Sequence, residues 1–153
     1  MTGGAPRTRA RGPGIGEGKK LAHGRREGSA VKTRGQLEAA VSDAVVRFER
    51  EYMGRGPVEA RTYLVDDMVI VRLQGVLTPA ERQLAKSDDP QRGRRLIKEV
   101  RSELLEGARS LLEAVVKEIT GAAVVSMHTD ISTRVGERVI IFTLEGRPEY
   151  TES

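Results

Sequence analysis

Cysteine and tryptophan are both missing from this chain of 153 residues, and three tyrosines and two phenylalanines are its only aromatic rings. The first absence excludes disulfide staples, thiol catalysis and thiolate metal sites, and it fits a reducing compartment. The shortage of rings argues against single-strand nucleic-acid binding, which stacks bases on aromatic side chains. Histidine occurs only as His23 and His128, so a metal shell built on imidazole has one candidate ligand in the folded part. No run approaches the roughly 18 consecutive apolar residues of a membrane-spanning helix, and the N-terminus lacks the apolar core of a signal peptide. A cytoplasmic location is expected, and a peripheral position at the inner face of the membrane is compatible with it.

Charge is plentiful but unevenly placed. Of 26 basic and 22 acidic residues, eight basic and two acidic fall within 1–32, leaving 18 basic and 20 acidic in the remainder. A slightly acidic folded part argues against specific nucleic-acid binding and leaves any weak polyanion contact to the arm. Residues 1–32 also hold eight of the 17 glycines and almost no bulky apolar side chain, so burial cannot offset the entropy of ordering and a disordered basic arm is expected. The run GPGIGEGKK within it falls short of a phosphate-binding loop, which needs glycine where Pro13 stands and Ser or Thr where Lys20 stands. A single domain is expected over 33–145, followed by a polar terminus, 146–153, that should fray.

The longest helical pattern runs from Asp89 to Gly121. Asp89 before Pro90 is an N-cap followed by proline at the first helical position, and Gly121 suits the left-handed conformation of a helix end. Ile97, Val100, Leu104, Ala108, Leu111, Val115 and Ile119 recur three and four apart and define the expected buried stripe, widened by Leu105, Leu112 and Val116. Arg101 and Arg109 fall on the expected wet side. Upstream, Thr33-Arg34-Gly35-Gln36 reads as a capping box opening a helix whose apolar stripe is Leu37, Val41, Ala44, Val45, Phe48 and Tyr52, stopped at Gly54. Residues 61–75 change to a period of two, with Asp66-Asp67 as the turn of a β-hairpin. Thr78-Pro79-Ala80-Glu81 announces a short helix to about Lys86. After Gly121, Ala123, Val125, Met127 and Ile131 are expected on the core face of a strand, and 138–144 forms a last strand that is apolar on both faces.

The order helix, β-hairpin, short helix, long helix, β-hairpin gives an α+β fold: a four-stranded, mostly antiparallel sheet packed against helices. With helices on one face, Met68 and Ile70, or Ile140 and Phe142, are left apolar on the other. The first helix or a second copy of the chain could cover them, and a homodimer is expected.

Two places could carry chemistry. Ser126, His128 and Asp130 share one face of a strand, opposite the core residues. Residues two apart on one strand seldom form a hydrogen-bonded relay, and a metal would need a further ligand. Arg55, between the glycines of GRGP, sits where backbone amides can approach an anion. All four residues are candidates for ligand or partner contact; no catalytic residue, metal or cofactor is assigned.

The runs GRGP, DDM-V-I-V, GVLTPAE and H-T-D-I-S-T, spread from Arg34 to about Glu145, resemble the MpsC-like family. That family takes its name from a sodium-translocating, membrane-potential-generating system whose integral-membrane partners are implicated in dissolved inorganic carbon uptake. The resemblance implies a small accessory protein with a protein partner, an integral-membrane transporter among the candidates, and it carries over no catalytic residue. The expected function is a non-catalytic accessory or regulatory module. The alternative is a small-molecule-binding domain or enzyme centred on Arg55, His128 and Asp130.

Overall fold

A computed structural model describes residues 31–152. The expected basic arm, with His23 and the GPGIGEGKK run, lies almost wholly outside the described residues. Helix α1 (Arg34–Tyr52) leads into the hairpin β1 (Glu59–Val65) and β2 (Met68–Gln74), followed by α2 (Pro79–Ala85), α3 (Pro90–Gly107) and α4 (Arg109–Thr120), then β3 (Val124–Ser132) and β4 (Glu137–Leu144). The strands form one sheet in the order β1-β2-β4-β3, and every neighbouring pair is antiparallel. The α+β class expected from the sequence is the class observed.

Local signals set the helix starts. Thr33 and Gln36 exchange side-chain and backbone hydrogen bonds as a capping box, and Thr78 and Glu81 do the same at α2. Asp89 caps α3 by accepting from the Arg92 amide, with Pro90 in the first turn. Gly121 closes α4 at φ 78°, a conformation that costs glycine little. In the first hairpin Asp66 takes φ 54°, the positive-φ strain that Asp tolerates better than most residues.

The long helix is interrupted. Ala108, after Gly107, sits at φ −111° and ψ 9° and separates α3 from α4. The buried stripe is also turned from the expected one: Ile97, Arg101, Leu105, Ala108, Leu112 and Val116 are buried, while Val100 and Leu111 are 55% and 47% exposed. This stripe has the same helical spacing as the expected one. Its second member, however, is an arginine, and a residue normally found in water diverted the reading to the neighbouring row of Val100 and Leu104. The placement of Arg101 on the wet side is therefore corrected.

In the sheet, register puts Thr62 and Leu64 of β1, Val69, Val71 and Leu73 of β2, Arg138, Ile140, Phe142 and Leu144 of β4, and Met127 and Ile131 of β3 on one face. All of these are buried. Helix α1 packs on β1, α4 on β3, and α2 against α3. Helix α1 thus joins the core layer through Leu37, Val41, Val45 and Phe48, and does not cover the opposite face. Tyr52 of its expected stripe is 44% exposed. Val125, expected in the core, is 65% exposed, because a register shift between Val124 and Ser126 takes it out of the alternation. The 146–153 stretch, expected to fray, carries contacts over its described residues: Thr151 forms an isolated parallel bridge with Thr33, and Tyr150 packs against the core.

Gly93 marks the tightest approach between helices. A Cβ there would lie 2.1 Å from the carbonyl oxygen of Leu84, so α2 and α3 pack this closely only around glycine. Gly93→Ala is expected to destabilise the domain by about 1–3 kcal/mol, the usual cost of overpacking, as read by urea unfolding. Leu112→Asp is expected to cost several kcal/mol and to leave the domain unfolded or molten, because it buries an unpaired charge. Leu111→Asp, one residue away, is expected to cost about 1 kcal/mol or less; equal losses would return the stripe to the other row.

Candidate functional site

The four residues singled out from the sequence do not converge. His128 is exposed on the uncovered face of β3, with Nε2 3.3 Å from Ser126 Oγ. Ser126 in turn is hydrogen-bonded to Thr143 across the strand pair. Asp130 turns to other partners: Oδ1 accepts from the Ile131 amide at 2.8 Å and from Lys98 Nζ at 3.3 Å. Arg55 donates to the Leu77 carbonyl at 3.2 Å and to Gly56 at 3.4 Å, which ties the GRGP loop to the segment after β2. Among the described residues no group of three or more His, Cys, Asp or Glu could hold a metal.

The strongest electrostatic feature is one that the sequence reading missed. Glu49 of α1, Arg101 of α3 and Arg138 of β4 have side chains 2% exposed or less. Arg138 Nη1 donates to Glu49 Oε2 at 3.0 Å, and Arg101 Nη1 lies 3.6 Å from Glu49 Oε1. On its other side Arg101 makes a two-pronged contact with Glu81, Nε to Oε2 and Nη2 to Oε1, both 2.8 Å, and Nη2 also donates to the Val76 carbonyl at 2.8 Å. The fork geometry of guanidinium allows one side chain to clamp a carboxylate and a backbone oxygen at once. Glu81 Oε1 also accepts from the Thr78 amide at 2.9 Å, so the capping residue of α2 is the residue that docks α2 on α3. Two acids and two arginines balance in charge. Glu81 did carry a signal, as the acid of a capping box; Glu49, Arg101 and Arg138 carried none beyond standing at core positions of their elements.

Burial and pairing act differently on the two acids. Desolvation outweighs the two arginines at Glu49 and holds its carboxyl above the ordinary range. At Glu81 burial also pushes upward, but hydrogen bonds from Arg101 and the Thr78 amide outweigh it and leave the carboxyl below that range. Stability from Glu81 is therefore present above its unfolded pKa and lost as pH falls through the folded one. The Glu49 shift has the reverse sign, removing stability as pH rises from the ordinary carboxylate value through the raised one. Glu81→Gln is expected to lower stability at neutral pH and to flatten its decline in acid, measured by urea unfolding across the acid range; an unchanged acid limb would remove Glu81 as its source. Arg101→Met is expected to cost about 3–5 kcal/mol, since Glu81 loses its two-pronged partner and Glu49 keeps only Arg138.

Facing away from this cluster is the uncovered side of the sheet. Tyr63 and Val65 of β1, Met68 and Ile70 of β2, and Val139 and Ile141 of β4 lie on it in register, and none is buried. Around them stand charged pairs, Arg61 with Glu59 at 3.0 Å and Arg72 with Glu137 at 2.7 Å. Of the two sets expected there, Met68 and Ile70 are the ones left outside, while Ile140 and Phe142 are core.

These features define a small α+β domain in which, among the described residues, one sheet face is packed by helices and the other is not. The family model described as "Na+-translocating membrane potential-generating system (MpsC)" matches residues 33–146, and the chain belongs to that family. It is 42% identical over 113 residues to "Uncharacterized protein YbcI" of Bacillus subtilis, covering 74% of this chain and 89% of that one. It is 25% identical over 105 residues to "Uncharacterized protein YrhF" of the same organism, covering 68% and 84%. No solved structure matches. Among the described residues no helix is long and apolar enough to cross a membrane.

Proposed function

We propose that this domain is a non-catalytic accessory module that docks onto a protein partner through the uncovered face of its sheet. The observation that carries this reading is the apolar centre of that face, formed by Met68, Ile70, Val139 and Ile141 and rimmed by charged pairs. An apolar patch with a polar rim is the anatomy of a protein interface. The family's description as part of a Na+-translocating, membrane-potential-generating system supports a sodium-moving membrane protein as the partner; a transporter for inorganic carbon, and a position at the cytoplasmic face of the membrane, belong to the same proposal. A second copy of the chain is the other protein that could occupy the face, giving a homodimer.

The competing reading, a ligand site or enzyme centred on Arg55, His128 and Asp130, has less support. The Arg55 guanidinium is taken up by two carbonyls, and Asp130 Oδ1 by a backbone amide and Lys98.

Ile141→Asp on the central strand and Tyr63→Glu on the edge strand disturb the face without entering the core. Both variants are expected to melt cooperatively within several degrees of the parent, and both should lose co-purification with an integral-membrane protein from detergent-solubilised membranes of the native host. Sedimentation of the purified chain reads self-association through the same face, as a mass that falls to the monomer in the variants. Folded variants that keep both the membrane partner and the parent mass would remove the sheet face from the function.

A further inference from the structure

The folded part carries more acids than bases, yet one region collects bases alone. Two adjoining hollows, about 450 and 400 Å³ in volume, run between the α2–α3 end of the helical layer and the turn joining β3 to β4. They share Arg94, Thr133 and Arg134, and together they are lined by the six cations Arg82, Lys86, Arg94, Arg95, Lys98 and Arg134, with no aspartate or glutamate in either lining. In residues 33–153 there are 18 basic and 20 acidic side chains, so six of the bases and none of the acids stand at this groove.

The ion pairs of the domain do not neutralise it. Lys98 pairs with Asp130 at 3.3 Å, and Arg82 donates to the Leu77 carbonyl at 3.3 Å. Among the described residues Lys86, Arg94, Arg95 and Arg134 make no ion pair, although Arg72, Arg101, Arg109 and Arg138 elsewhere all do. Like charges gathered without counter-charges repel one another and raise the local potential. Three parts of the chain create the cluster, with Arg82 and Lys86 coming from α2 and its C-terminal cap. The first turns of α3 place Arg94, Arg95 and Lys98 along one flank, and the β3–β4 turn brings Arg134 beside them. The fold thus assembles the cluster, which no single basic run contains.

We propose that this groove binds a ligand bearing two or more phosphate groups. Guanidinium matches the phosphate oxygens through paired N–H donors, and Arg94 and Arg134, which line both hollows, bridge two positions for anionic groups. The open groove admits either a soluble polyphosphate or the phosphates of lipid headgroups. The site is separate from the uncovered sheet face and does not rest on the function assigned to that face.

The test uses the full chain, with its basic N-terminal residues present in every sample, and compares Arg94→Glu/Arg134→Glu with the charge-matched Arg47→Glu/Arg50→Glu on α1. All four positions are exposed, and both variants are expected to retain the parent melting temperature to within a few degrees. Calorimetric titration with sodium tripolyphosphate should show about tenfold or greater weakening in the groove variant and far less in the control. Sedimentation with phosphatidylglycerol-containing vesicles, against phosphatidylcholine alone, separates the two sources. Discrimination by tripolyphosphate only assigns a soluble ligand, and discrimination by the vesicles assigns a headgroup. Groove and control variants that weaken equally in both assays overturn the proposal, because total charge alone would then account for the binding.

Discussion

Glu49, Arg101 and Arg138 meet in an interior from which water is excluded, and the arrangement of four elements depends on how they are paired. Removing such charges from water costs several kcal/mol per ion even after relaxation. The cost is offset only where each charge finds a partner of opposite sign in good geometry. Here that geometry exists only if α1 brings Glu49 beside β4, α3 brings Arg101 beside Glu49, and α2 brings Glu81 within reach of Arg101. A shift of α3 by one turn would leave at least one ion alone in the core. The cluster therefore acts more as a register key than as a source of net stability, in the sense that hydrophobic residues of equal volume could hold a core together but would not choose one docking of the helices so sharply.

The close approach at Gly93 and the clamp on Glu81 act on the same joint. Arg101 holds the GVLTPAE segment through the Val76 carbonyl and both oxygens of Glu81. Gly93 allows the backbone of α3 to reach Leu84 in α2. Arg55, from the loop after α1, adds a further hydrogen bond to the Leu77 carbonyl. The short helix α2 has no buried residue of its own, so its position comes from these polar and close-packed contacts. The GRGP and GVLTPAE runs, which are the more distinctive parts of the sequence, are in this structure partners in one mechanical joint.

The same construction separates the domain's two free surfaces. All the described helices lie on one side of the sheet, and the charge cluster pins them there, so among the described residues no helix covers the face carrying Ile70 and Ile141. At the far end of α3's first turns, the helical layer and the β3–β4 turn gather cations that lie far apart in the sequence. An apolar sheet and a basic groove are suited to different chemistry, one to a protein surface and the other to phosphate.

Much of the architecture is written locally. Thr33 with Gln36, Thr78 with Glu81, Asp89 before Pro90 and Gly121 are hydrogen-bonding and φ requirements met within a few residues, so helix limits could be read directly, as could the hairpin at Asp66-Asp67 and the α+β class. The candidate residues Ser126, His128 and Asp130 were rightly placed on the polar side of β3, but Asp130's reach to Lys98 was not legible, because it depends on β3 being the edge strand beside α3. The break at Ala108, the bulge that exposes Val125, the turn of the stripe onto Arg101 and the convergence of Arg94 with Arg134 were decided only by tertiary structure. In each case the deciding partner lies elsewhere in the chain: an arginine counts as a core residue only when carboxylates from α1 and α2 arrive to meet it, and pattern along a single helix contains no information about their arrival.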